Sequence, residues 1–275
     1  MTKTMNEIQI NYLNYLVKTY KGVTKLIAAS RQRLLSLPGE GMTEDFDPLL
    51  KGMGKADPGL ETVKMRIARN IEKELDNWAI YSEWLEKIPG IGPAIASELI
   101  ITYYYKFVPV CPDCGGELEK KEGAMICVGC QKKVKEGLLK YKIVVRDFPT
   151  ISKWWAFLGR HTVDGVMPKR AKGTQANWST PGRTLGFQIG DQFNRQDPDH
   201  PYKKFFLERK ERHARKNPEW TKGHTHNAAR NESVKLFLAH FWTVARTIDG
   251  LPVSEPYAGA IMGHTNIINP FFWDV

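Results

Sequence analysis

The chain has 275 residues, 42% of them hydrophobic, with 40 Lys and Arg against 30 Asp and Glu for a net charge of +10. That length suits two modest domains, or one elongated domain with an insertion, and the apolar content supports a folded core. Residues 1 to 9 are polar, without the apolar core of a secretory signal, and the most apolar run, Leu99 to Val110, is broken by Lys106 and too short to cross a bilayer. The composition therefore points to a cytoplasmic protein with no membrane partner, and its basic surplus favours a polyanion.

Residues 1 to 37 read as one long helix. Leu13, Leu16, Tyr20, Val23, Ile27 and Leu34 follow alternating steps of three and four, a coiled-coil seam with Ser30 as its weak point. From Leu37 to Leu60 the chain is dense in Gly and Pro and reads as a linker. A second long helix is expected beyond it, with Val63, Ile67, Ile71, Leu75, Trp78, Leu85 and Ile88 on one face. It either folds back on the first helix or pairs with a second copy, so a homodimer through the N-terminal helix is one expectation.

The stretch Lys87 to Ile100, K-I-P-G-I-G-P-A-I-A-S-E-L-I, joins two apolar helical patterns through Gly90, Ile91 and Gly92. Two glycines permit a sharp turn, and Pro93 suits the first turn of the next helix. Such a turn can aim free N–H groups at a phosphate. The motif looks like a helix-hairpin-helix; an ordinary αα-hairpin with a glycine turn is the alternative.

All four cysteines follow as Cys111-x2-Cys114 and Cys127-x2-Cys130, with twelve residues between the pairs. Four thiolates at this spacing suit one tetrahedral Zn²⁺ per chain in a zinc ribbon, with Gly115 and Gly129 easing the knuckles. Redox pairs or an iron–sulfur site are the alternatives. Lys120, Lys121, Lys132, Lys133 and Lys135 surround the module.

From Arg146 the chain turns helical again in R-D-F-P-T-I-S-K-W-W-A-F-L-G, with Phe148-Pro149 and Ser152 as lead-in and cap and Gly159 as the stop. Residues 167 to 183 form a basic loop carrying Lys169, Arg170, Lys172 and Arg183. Tyr202 to Arg215 reads as a charged helix and Ala228 to Arg246 as the last one. His224 and His226, ahead of that helix, read as capping or polar contacts rather than metal ligands. The tail Pro270-Phe-Phe-Trp273 reads as a plug for a groove on the core.

The order of these blocks resembles the C-terminal half of bridge-RNA-guided insertion-sequence transposases, which join a RuvC-like domain to a helix-hairpin-helix domain. The resemblance covers most of residues 10 to 250 except the zinc ribbon, which looks like an insertion. Members of that family carry RuvC-like acidic residues and a serine nucleophile after the A-Y-L-G-like block. Here nothing before Ile100 reads as strands, and the matching position is Val163-Asp164-Gly165. Ser179 falls where the family usually has a structural Thr, which leaves Ser179 and Asp164 as the only catalytic candidates. The resemblance thus implies a relative that keeps the binding half without the chemistry.

The expected architecture is mainly α, in four parts: an N-terminal coiled-coil helix and linker (1–58), a long helix and helix-hairpin-helix (59–106), a small β zinc ribbon (107–140) and a helical transposase-like region (141–275). The expected function is non-catalytic nucleic-acid binding, with DNA as the partner the resemblance implies and Lys87, Gly90, Ile91, Gly92, Lys169, Arg170, Lys172 and Arg183 as its contacts. A recombinase or nuclease subunit and a zinc-ribbon adaptor are the competing readings.

Overall fold

A computed structural model describes residues 6–37, 47–121, 124–163, 166–253 and 268–272. The chain forms two compact units, one from Met1–Leu99 with Pro149–Val275, the other Ile100–Phe148.

The larger unit is helical. Helix α1 (Glu7–Leu35) opens with a capping box: the Asn6 side chain accepts from the Ile8 N–H, and the Gln9 side chain accepts from the Asn6 N–H. It buries Ile10, Leu13, Leu16, Val17, Ile27 and Ser30, so Leu13, Leu16 and Ile27 of the expected seam are covered within the chain while Tyr20, Val23 and Leu34 are half-buried. A short α2 (Pro48–Lys51), capped by Asp47, leads to α3 (Leu60–Leu75), which packs along α1. Glu61 receives Arg31 at 2.6 Å and Lys51 at 3.0 Å, so the end of α1 meets the start of α3.

The expected second long helix stops at Leu75. After it come α4 (Ala79–Ser82) and a single 3₁₀ turn, Leu85–Lys87. Ile80 and Trp84 lie off the Val63–Ile88 stripe yet are buried, at 2% and 0% exposure. One straight helix cannot bury both sets, and the chain breaks so that it can. Helix α5 (Pro93–Tyr104) begins after the glycine turn, where the Gly92 carbonyl accepts from Ile95 and Ala96 N–H at 3.0 Å each.

Beyond the smaller unit lies α6 (Ile151–Phe157). Thr150, not Ser152, caps it, accepting from the Lys153 N–H. Thr150 has the extended backbone that a cap requires (φ −135°, ψ 149°), whereas Ser152 is already inside the helix. Then come α7 (Thr180–Asn194), α8 (Pro201–Lys216) and α9 (Lys222–Ile248). Helix α9 starts six residues earlier than its apolar pattern suggested, because Thr221 caps it and accepts from the His224 N–H. It is the centre of the unit, packed against α4, α6, α7 and α8. The Trp84 ring stacks on Phe237 (5.5 Å, 21°), and Phe193 meets Phe237 edge-on at 5.3 Å.

The tail docks on this core. Trp84 Nε1 donates to the Pro270 carbonyl at 2.9 Å, and Phe272 sits edge-on to Tyr202 at 5.7 Å and His200 at 5.9 Å. Trp273 lies outside the described residues.

The smaller unit is built on two antiparallel sheets. Strands β1 (Tyr105–Val110) and β5 (Lys140–Val145) pair from Tyr105↔Val145 to Val110↔Lys140. Beyond that ladder lie β2 (Leu118–Lys121), β3 (Ala124–Cys127) and β4 (Lys133–Val134), in the order β2-β3-β4. Residues 141–145, expected to open the helical region, are therefore strand. Five of the six β5 side chains are exposed, which erases the alternation that marks a half-buried strand. Among the described residues no helix is long and apolar enough to cross a membrane.

Candidate metal centre and candidate anion cleft

The four cysteines converge. Their sulfurs all lie within 4.8 Å of one another, with Cys111–Cys130 at 3.7 Å and Cys114–Cys127 at 3.4 Å. Around a tetrahedral ion with metal–sulfur bonds of about 2.3 Å, ligand sulfurs stand roughly 3.8 Å apart, so the cluster is shaped for one ion. The first knuckle turns at Gly115 (φ +71°) and the second at Gln131 (φ +57°), not at Gly129. Each of these follows the second cysteine of its pair, where the chain must reverse. A Cβ on Gly116 would stand 3.2 Å from the Cys127 sulfur and 3.3 Å from that of Cys114, so that glycine keeps the ligands uncrowded.

The Cys130 backbone N–H donates to the Cys127 sulfur at 3.5 Å, and this holds the Cys127 thiol down to about 7. A sulfur that ionises near neutrality is a competent ligand. Cys111, Cys127 and Val134 form the module's core, with Leu118, Met125 and Leu139 around them. Among the described residues this is the only cluster of three or more metal-ligating side chains. His224 instead stacks on Trp220 at 3.9 Å, and His226 meets Phe206 edge-on at 5.1 Å.

The glycine turn is packed on one side and open on the other. Gly90 adopts φ +89°, and a Cβ there would lie 2.8 Å from the Gln196 side-chain nitrogen and 3.3 Å from Gln192 Cβ. Ile91 is 3% exposed and its N–H donates to the Ile88 carbonyl, so it anchors the turn rather than facing a ligand. Gly92 has nothing within 4 Å of its would-be Cβ, and Lys87 is exposed.

Of the expected basic contacts, Lys169 and Arg183 line a cleft of about 1020 Å³, while Arg170 and Lys172 are exposed on the same loop outside its lining. Three cations that sequence reasoning did not single out complete it: Arg160, Arg230 and Lys235. Arg160 is only 5% exposed. Its terminal nitrogens donate to the Arg183 carbonyl at 2.7 Å and the Asn231 side-chain oxygen at 3.4 Å, and its Nε has no partner. Arg183 donates to the Pro168 carbonyl at 2.7 Å and lies over the Trp178 ring at 4.9 Å. Arg230 lies over Phe187 at 3.9 Å and Lys235 over Trp155 at 4.2 Å.

None of these five cations forms an ion pair among the described residues. Among the described residues Glu232 is the one acidic side chain lining the cleft, and it is held by Arg209 (3.3 Å) and His213 (2.8 Å), while Asp191 on α7 is held by Arg195 (2.8 Å). Burial, with the charges of Arg183 and Arg230, pushes the Arg160 pKa down to about 10, still cationic at neutral pH.

A row of glycines on α7 makes this possible. Cβ atoms on Gly182, Gly186 and Gly190 would lie 2.5 Å from Leu158 Cδ2, 2.7 Å from Arg160 Nε and 2.6 Å from Arg230 Cγ. Glycine costs a helix about 1 kcal/mol relative to alanine. Three of them at four-residue spacing in T-P-G-R-T-L-G-F-Q-I-G are the sequence signal that could have located the cleft.

Ser179 caps α7, its Oγ accepting from the Gly182 N–H at 3.1 Å. Asp164 lies outside the described residues. No protein-family model, curated protein or solved structure matches this chain.

Proposed function

We propose that this chain is a non-catalytic nucleic-acid-binding protein that grips phosphates through the cleft and the glycine turn. The observation that carries the reading is the set of five cleft cations, none in an ion pair among the described residues, of which Arg160, Arg183, Arg230 and Lys235 are buried or half-buried and rest on carbonyls, side-chain amides and aromatic faces. Asp191 and Glu232 attract Arg230 and Lys235 from beyond bonding distance, but buried or half-buried charge without a bonded counter-charge is costly, and a polyanion supplies one. The block order shared with bridge-RNA-type transposases makes DNA the expected polyanion. The four-cysteine cluster holds one Zn²⁺, since an all-sulfur set of this size in a small ribbon suits that ion. Self-association through α1 would fall on Ile8, Tyr12, Tyr15 and Leu26, exposed on a different face from the covered seam.

Salt titration tests the reading. On duplex DNA, log affinity should fall against log salt with a slope of about −0.9 for each neutralised phosphate. A Gly92→Val variant, altered where the turn is open, should bind more weakly while the chain stays folded by circular dichroism. Mg²⁺ should elicit no strand cleavage, because Ser179 is engaged as a cap. Salt-independent binding would refute phosphate recognition, and cleavage lost on changing Ser179 would make the protein an enzyme.

A further inference from the structure

We propose that the cleft seats an unpaired nucleic-acid strand, with a backbone phosphate on Arg160, Arg183 and Arg230 and a base against Phe187. This rests on the nucleic-acid reading above and narrows it from polyanion to single strand.

Depth comes first. Arg160, only 5% exposed, belongs to the cleft lining while its Nε lies against Gly186, so the rest of its guanidinium can be met only by a group that enters the cleft. A duplex carries its phosphates on the outside of a broad, stiff rod, and can touch the rim but not the floor. An unpaired strand bends freely and can lower a phosphate between the walls.

Size and charge agree. A volume of about 1020 Å³ lies at the top of the usual range for ligand sites, too large for an isolated phosphate and suited to a few linked nucleotides. Planar guanidinium forks match phosphate oxygens two at a time, and Lys169 and Lys235 lie in the same lining for neighbouring phosphates.

The aromatic surface is specific to one ring. Trp220 lines the cleft but is already stacked with His224 at 3.9 Å and with His213 at 5.6 Å. Phe187 is 48% exposed, carries the Arg230 guanidinium over its ring and has no ring partner among the described residues. A base stacking on it would gain both π-stacking and the adjacent cation.

The test uses the full chain and fluorescence anisotropy with labelled oligothymidylate, oligouridylate and a blunt DNA duplex of matched phosphate number. At least one single strand should bind about tenfold more tightly than the duplex, and the tighter of the two names the sugar. Arg160→Gln and Arg230→Gln should each weaken single-strand binding about tenfold, and Phe187→Ala at least about fivefold. Duplex binding through the turn should change little in all three. If Arg160→Gln fails to fold by circular dichroism, Arg230→Gln and Phe187→Ala decide the matter. Equal binding of single strand and duplex, with the variants unchanged, overturns the cleft proposal and leaves the nucleic-acid reading standing. No binding of any of the three probes overturns both.

Discussion

Two arginines lie flat on α7 because Gly186 and Gly190 leave them room, and the chemistry of the cleft depends on that clearance. A Gly186→Ala change places a methyl group 2.7 Å from Arg160 Nε, so the guanidinium must leave its seat. The gain in helix propensity, about 1 kcal/mol, opposes the cost of the clash. The expected result is a several-fold loss of single-strand affinity with an unfolding midpoint close to the parent, read by anisotropy and urea titration. His240 sets a second residue-level expectation. Its ring lies 2.8 Å from the Tyr202 hydroxyl, and burial pushes it down to about 4, against about 6.5 in an unfolded chain. Between those values the unfolded chain takes up a proton that the folded chain refuses. Stability is therefore complete above about pH 6.5 and declines as the pH falls towards 4, by up to about 1.4 kcal/mol per pH unit from this group. His240→Gln should flatten that decline in urea titrations across the same window. His200 and His226, also lowered by burial, act in the same direction and keep some slope. Lys169 and Arg183 were legible because they cluster in a basic loop. Arg160 and Arg230 were not, since each is an isolated cation whose role comes from the helix it lies against.

Elements differ in what fixes them. In the ribbon, four sulfurs and a small apolar core do nearly all the work, so bound metal should dominate its stability. Binding free energy of this kind is on the order of 10 kcal/mol. Chelation, or Cys127→Ser, should melt Ile100–Phe148 while the helical unit keeps its circular dichroism, as hydrogen exchange resolved by segment would show. Loss of both units together would mean the ribbon is a keystone rather than an appendage. The cysteine spacing made this element readable, because ligand geometry restricts the chain within each pair. The Leu75 break was hidden for a different reason. The stripe from Val63 to Ile88 is continuous in sequence, and only the burial of Ile80 and Trp84 on another side requires the interruption. The strand Lys140–Val145 escaped notice because exposure on both faces leaves no alternation to detect.

For the molecule as a whole, the larger unit is assembled from distant stretches of chain, with α4 and the C-terminal tail both meeting partners around α9. The Trp84–Pro270 hydrogen bond joins residues 186 positions apart. Removing residues 268–275 should strand the buried indole N–H and uncover Tyr202 and His200. The expected loss is about 2–4 kcal/mol of unfolding free energy, with a shift in tryptophan emission, from the unmet donor and the lost aromatic packing. An unchanged midpoint would mean the tail is only a passenger. The β1/β5 ladder has a further implication. Tyr105 and Val145 are register partners, so the chain leaves for the ribbon and returns from it at neighbouring points. A cassette whose two ends already touch can be gained, lost or exchanged with almost no loop-closure penalty. A short Asn-Gly hairpin joining β1 to β5 in place of the four-cysteine module should therefore leave a helical unit that folds unaided, as circular dichroism and urea titration would show.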